Sequence, residues 1–310
     1  MDSLQELPVF SLLISAIVTW KGLKDGKLSF DGAVAAFFVG FAMLSTPLHV
    51  FGITLLVLYF VGSRATRVGK AHKVKMEEGA KVGLGARDAV QACLATPPAF
   101  IACLLWRARF TDSRLSAFIG VQQSKPYNSN TTCAIDPTYG DRVSYALVLA
   151  ALGQFGCSLG DTLASELGIL SKSKPILVTT LKKVPPGTNG AMSVLGTAVS
   201  VGGGGLIGLT MSLVLLVDNP ACRDLGYIPF LKLCLLGIFA GGFGSLLDSF
   251  LGATVQQTLY STKTERILTE DGETKPGSSV KVISGRNLLS NNQVNLVSAI
   301  VTTLVVAYIG

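Results

Sequence analysis

The segment PFLKLCLLGIFAGGFGSLLDSFLGATVQQ, residues 229–257, carries only two charges, Lys232 near its start and Asp248 near its end. It is longer than the roughly twenty residues that cross a hydrocarbon core. In lipid every backbone amide must find an internal partner, so such a run reads as a transmembrane helix and the domain around it as a helical membrane bundle. Gly241, Gly242, Gly244 and Gly252 interrupt the run, which predicts a break or kink near Gly244. Asp248 is the informative residue, because a carboxylate at membrane depth costs several kcal/mol and marks a functional-site candidate.

Outward from this segment, a second acidic motif reads SLGDTLASELG, Ser158 to Gly168, against SLLDSFLGATVQ, Ser245 to Gln256. Both contain Ser-Leu-x-Asp followed by a hydroxyl residue. Two such motifs in oily surroundings suggest one polar centre assembled from two halves of the chain. Further apolar spans fall near 33–46, 48–63, 88–106, 143–160, 191–217 and 293–309, with a shorter one near 7–20. The 310 residues are 49% hydrophobic and 15% charged, with a mean hydropathy of +0.52; charged residues alone approach a quarter of a soluble domain. The expected fold is therefore all-α: a single polytopic domain over 1–310 with about seven or eight transmembrane helices. Residues 107–141 read as a lumenal loop insertion and 158–298 as the motif-bearing half. The N-terminus, with Asp2 and Glu6 in place of a basic cluster, reads as a short first helix and not as a cleaved signal.

Charge sets the expected orientation. With eight helices, four loops share one face, and they hold nineteen of the twenty-six basic residues. The positive-inside rule makes that face cytosolic and both termini lumenal. The membrane expected is the endoplasmic reticulum or another endomembrane. The net charge of +7 is then a signal of orientation and anion binding; no soluble basic module is present to bind nucleic acid. On the lumenal side lie the sequon Asn130-Thr131-Thr132 and two cysteines, Cys133 and Cys222, which could pair in an oxidising compartment. His49 and His72 have no partners at metal or triad spacing, so Ser-His catalysis is not expected. The run Gly202 to Gly205 reads as close helix packing.

Between the acidic motifs, KKVPPGTNG (Lys182 to Gly190) has the parts of an anion grip. Lys182 and Lys183 supply ammonium groups. Pro185 and Pro186 stiffen the turn, and Thr188, Asn189 and Gly190 lead towards the next helix. A helix starting near Gly190 would aim free amides at a phosphate. The plain alternative is a basic loop anchored at the headgroups. Asp161 and Glu166 lie about 140° apart on a helix, so one ion reaches both only if the helix breaks or a substrate bridges them. The structural alternative for Asp161 and Asp248 is hydrogen bonding between helices. A third polar cluster, LLSNNQVNLVS, brings Asn291, Asn292 and Asn295 to the mouth of the last span, to read a base or sugar or simply to cap the helix. Arg87 opens the span near 88–106 as a candidate phosphate clamp or an interfacial anchor.

GDTLASELG, KKVPPGTNG, GSLLDSFLGATVQ and NNQVNL, in this order and spacing, closely resemble the eukaryotic transmembrane-protein-nineteen family, which includes the plant phytyl-phosphate kinases. The resemblance is strong over about 144–310 and weaker before it, where EEGAKVGLGARDAVQ (Glu77 to Gln91) matches best; residues 107–141 find no counterpart. The family is more distantly similar to CTP-dependent dolichol and phytol kinases. The resemblance implies a membrane kinase that transfers a phosphoryl group from a nucleoside triphosphate, CTP by that likeness, to an isoprenyl or phytyl monophosphate. It implies Mg²⁺ on Asp161 and Asp248 with Glu166 close by. Lys182, Lys183, Thr188, Asn189 and Gly190 would hold nucleotide phosphates, with Arg87 on the acceptor phosphate and the asparagines near the nucleotide. The expected partners are the nucleotide, the lipid phosphate and the membrane, with homo-oligomer formation left open.

The competing reading is a secondary transporter, since repeated Asp motifs on Gly-interrupted helices also mark a midplane ion site. Depth separates the two. Both acids fall near the cytosolic ends of their spans, where a soluble nucleotide can reach.

Overall fold

A computed structural model describes residues 8–78, 96–113, 115–268 and 280–310. The chain forms helices wherever the apolar runs demanded them: α1 Val9–Lys24, α2 Phe30–Leu44, α3 Val50–Met76, α4 Pro97–Phe110, a short α5 Leu115–Ile119, α6 Val143–Leu167, α7 Val194–Asp218, α8 Ile228–Val255 and α9 Asn291–Ile309. Among the described residues, five are long and apolar enough to cross a membrane: α3 over Val50–Gly69, α6 together with its 3-10 extension to Leu170, and α7, α8 and α9. The protein is a helical integral membrane protein, as expected. The first part of the span expected at 88–106, with Arg87 just before it, lies outside the described residues.

Helix α6 is the axis of the bundle. It packs against α3, α4, α7, α8 and α9, and Val148, Leu149, Leu152, Phe155 and Leu159 are fully buried on it. Small residues let its neighbours come close. A Cβ at Gly160 would lie 2.7 Å from Gly241 Cα, one at Gly208 2.6 Å from the Leu233 carbonyl, and one at Gly203 2.8 Å from Leu163. A Cβ at Gly204 would run into the Gly237 carbonyl oxygen. Backbone-to-backbone contact of this kind is how helices associate where lipid offers no hydrophobic driving force.

That packing corrects one expectation. Helix α8 runs unbroken from Ile228 to Val255, with no break at Gly244. Its glycines do not loosen the helix; Gly237 and Gly241 face α7, and Gly244 faces Cys157 of α6. The run at Gly202 to Gly205 packs as expected at Gly203, Gly204 and Gly205, while Gly202 faces open space.

The ends of the bundle differ. At the end where α6 begins, residues 115–141 pack as a cap on the bundle. Cys133 and Cys222 are joined in a disulfide. The Trp106 indole donates to Ser144 Oγ at 2.8 Å, and Ser144 donates to the Ala134 carbonyl at 2.7 Å. Tyr127 packs edge-to-face on Trp106 and Tyr139 packs at a tilt on Phe110. At the opposite end the chain adds what an all-α expectation omitted. Strands β1 Glu77–Glu78, β4 Thr258–Ser261, β5 Arg266–Leu268 and β6 Val280–Ser284 form a sheet in the order β1-β5-β4-β6. Strand β1 is parallel to β5 and the other pairs are antiparallel. A second pair, β2 Ile176–Leu177 with β3 Ala191–Met192, closes the basic loop.

Candidate functional site

The two acidic motifs meet because α6 and α8 pack side by side through Gly160 and Gly241. Asp161 and Asp248 lie in the last two turns of their helices, about 10 Å from the ends. Ser298 stands at a similar distance from the start of α9. The three helices thus bring their polar residues to one depth, on the side away from the disulfide. Cys157, one turn before Asp161 and buried, is within electrostatic reach of both carboxylates, so the two acids converge across the seam.

They line a cavity of about 1470 Å³. Glu166, Thr188, Asn189, Gly190, Asn291, Asn292 and Asn295 also line it, so most of the residues singled out in the sequence share one chamber. Asp248 is firmly held. Ser298 Oγ donates to its Oδ2 at 3.1 Å. The Asn295 amide, in the orientation that satisfies both its ends, donates to the same oxygen at 3.0 Å and to the Asn291 carbonyl at 3.0 Å. The opening of α9 is capped by Ser290 with Gln293, whose Oε1 accepts from the Ser290 amide at 2.9 Å. Capping therefore does not occupy Asn291.

Several expected roles look different in three dimensions. Glu166 turns towards α3: a Cβ on Gly69 would strike its carboxylate. With α6 unbroken, no three of the Asp, Glu, His and Cys side chains among the described residues gather as a metal-binding group. Helix α7 does not start at Gly190 with free amides. Its N-cap is Ser193, whose hydroxyl accepts from Gly196 N at 3.1 Å and donates to the Gly168 carbonyl at 3.1 Å. Gly190 has a different task. At φ +76 it lays the loop flat on α8, where a Cβ would collide with Ala253 and Ser249. Thr188 Oγ1 donates to the Pro185 carbonyl at 2.7 Å. The Asn189 side chain donates to the Gln257 carbonyl at 3.2 Å, and its main-chain N–H donates to Thr258 Oγ1 at 3.1 Å. These contacts pin the loop to β4. Lys182 and Lys183 are exposed and do not line the chamber; the Lys182 carbonyl accepts from Leu177 N at 2.9 Å and closes the turn that carries them. Arg87 lies outside the described residues.

The lysine and arginine that do line the cavity, among the described residues, are Lys27 and Arg67. Gln154 and Ser298 also face it. The signal for Arg67 lay in helical spacing: Tyr59, Gly62, Ser63, Thr66 and Arg67 all line the cavity, a stripe at i, i+3 and i+4 along one face of the helix.

The donor set suits a hard cation that keeps part of its shell for phosphate or water. Two carboxylates lie among neutral oxygens, and Mg²⁺ is held in just this sparse way. Asp161 and Asp248 are the residues that would hold it.

A family model described as integral membrane protein DUF92 matches residues 13–303. Protein PGR of Arabidopsis thaliana is 31% identical over 301 residues, covering 95% of this chain and 93% of that protein. An uncharacterized membrane protein of Methanocaldococcus jannaschii is 36% identical over 112 residues, covering 36% of this chain and 41% of its own. One from a Synechocystis strain is 34% identical over 110 residues. No solved structure gives a significant match.

Proposed function

The chain belongs to the integral membrane protein family DUF92, and on that premise we propose that it is a membrane phosphotransferase. Its reaction would transfer a phosphoryl group from a nucleoside triphosphate, CTP by the resemblance of its motifs, to an isoprenyl or phytyl monophosphate. The observation that carries this reading is the convergence of Asp161, Asp248 and the α9 asparagines on one chamber at an end of the bundle. A water-soluble nucleotide reaches an end of a bundle; a midplane site would exclude it. The transporter reading leaned on helices broken at their acids, and α6 and α8 run through Asp161 and Asp248 without interruption.

The chemistry asks little of side-chain bases. A monophosphate has a second pKa near 6, so at neutral pH it is largely the dianionic nucleophile. Its oxygen forms the new P–O bond as the terminal P–O bond of the donor breaks, and the nucleoside diphosphate leaves with the electron pair. The barrier is repulsion between anions and in-line positioning. Mg²⁺, when bound, supplies charge neutralisation on the donor phosphates. Ser298 and Asn295 fix the direction of Asp248. Asn291 and Asn292, which line the same chamber, would bond the base or sugar.

The basic excess on the loops at this end favours a chamber facing the cytosol, and the disulfide at the far end suits a lumen of the endomembrane system. The test is direct: incubate the purified full-length protein with prenyl monophosphates, Mg²⁺ and each nucleotide, and look for the diphosphate. Asp161→Asn and Asp248→Asn keep the shape and remove the charge, so each should abolish product while the protein stays folded. No diphosphate from the wild type with any nucleotide would sink the reading.

A further inference from the structure

The cavity has two kinds of wall. Around Asp161 and Asp248 it is polar. Beyond them it runs between the α1–α2 hairpin and α3, where the lining turns mainly apolar: Val18, Val39, Gly40, Leu44, Leu55 and Tyr59, with the hydroxyls of Ser15 and Thr19 among them. The hairpin is antiparallel and tied at its far end, where Ser11 Oγ donates to the Leu44 carbonyl at 2.9 Å. Gly52 of α3 closes on the Leu44 backbone there, since a Cβ would lie 2.7 Å from Leu44 Cα. Leu44 and Leu55 therefore mark the deep end. From Leu55 to Arg67 along α3 is about 18 Å, slightly more than one leaflet of a core about 30 Å thick.

Lys27 and Arg67 stand at the other end of this arm, on the α2 and α3 sides. Lys27 is steadied by Asp25 at 3.3 Å and lies 6.0 Å from the centre of the Tyr59 ring. Arg67 offers a planar guanidinium, the group best matched to phosphate. Two cations at the mouth of an apolar channel one leaflet deep fit one ligand class: an anionic head on a single hydrocarbon chain.

We propose that the arm between α1, α2 and α3 holds the tail of a single-chain lipid phosphate, that Lys27 and Arg67 hold its phosphate, and that the wall at Gly40 and Leu44 measures its length. The identity of the head as an acceptor phosphate rests on the phosphotransferase reading; the channel itself does not. Gly40 is the key position. A Cβ there would sit 3.6 Å from Ser15 Oγ, ordinary contact, and Gly40 and Ser15 both line the cavity, so added bulk at this position would narrow the deep end.

The experiment is binding by native mass spectrometry of the full chain in detergent, with geranyl, farnesyl and geranylgeranyl monophosphate as probes and without nucleotide. Gly40→Leu should weaken geranylgeranyl binding by about tenfold or more, the equivalent of roughly two buried methylenes, and leave geranyl binding unchanged. Val18→Phe, from α1 and nearer the mouth, should exclude farnesyl as well. Lys27→Ala and Arg67→Ala should weaken all three alike. Gly202→Leu, in open space on α7, controls for added bulk. Equal loss for all chains in Gly40→Leu and Val18→Phe, no loss in either, no binding by the wild type, or diacyl phosphatidate binding as tightly would overturn the channel. Chain-selective binding without diphosphate formation would leave the channel standing and remove the phosphotransferase. Diphosphate formation with an unchanged chain profile in both variants would do the reverse.

Discussion

At the scale of single residues, the acids could be picked out because burial makes them expensive, whereas the cations could not. Asp161 and Asp248 sit in oily sequence, and an ionisable group there demands a purpose. Lys182 and Lys183 looked like a clamp because they adjoin a turn, yet both are exposed and neither lines the chamber. A solvated ammonium contributes about 0–1 kcal/mol to a contact, so Lys182→Ala and Lys183→Ala should each change turnover by no more than about fivefold. A loss of a hundredfold per folded molecule would return them to the site. Ser298 carries the opposite expectation. It is buried and donates to Asp248, and hydrogen bonds to charged groups are worth about 1.5–3 kcal/mol. Ser298→Ala should therefore lower turnover roughly ten- to a hundredfold, and Ser298→Thr, which keeps the hydroxyl, should recover much of it. If turnover stays near wild type, Ser298 does not position Asp248.

At the scale of elements, helix positions were legible and the meaning of their glycines was not. Apolar runs of sufficient length are local properties, so the expected spans within the described residues reappear as helices. However, α3 continues to Met76, well past the expected end at 63, and five of these helices are long and apolar enough to cross a membrane against the seven or eight expected. A glycine can loosen one helix or let two approach, and only the neighbour decides which. The contrast between Gly204 and Gly202 tests the packing account. Gly204→Val would push a side chain into the Gly237 carbonyl of α8, while Gly202→Val meets open space. The first should lower the thermal midpoint sharply or prevent recovery of folded protein, and the second should leave both unchanged. Equal effects would mean that the α7–α8 seam is not held by backbone contact. The small sheet at the cavity end escaped notice for a related reason. Its strands are three to five residues long apart from the shorter β1, too brief for alternation to stand out, and β1 pairs with β5 from far along the chain.

At the scale of the whole molecule, the ends of the bundle divide the labour. One end is sealed by a disulfide and an aromatic cap, and the other opens into the chamber. Position 130 lies on the capped end and is exposed. With Asn130→Cys in sealed microsomes, a membrane-impermeant thiol reagent should reach that position only after the membrane is opened. A cysteine at Lys182 should be labelled without opening. Labelling in the reverse pattern would invert the protein and place the chamber where cytosolic nucleotide cannot reach it.

The sequence by itself determined that this is a helical membrane protein, roughly where its helices run, and that two carboxylates with hydroxyl and amide neighbours were candidates for chemistry. Those conclusions follow from hydrophobic run length and from the cost of a buried charge, both carried by each segment alone. Tertiary structure decided which cations share the cavity with the acids, that α8 is continuous, that residues 115–141 close one end, and that an apolar arm leads away from the chamber. Each of these depends on which surfaces meet across the bundle. Contact between helices far apart in the chain is set by the fit of small residues and backbones, which no single segment contains.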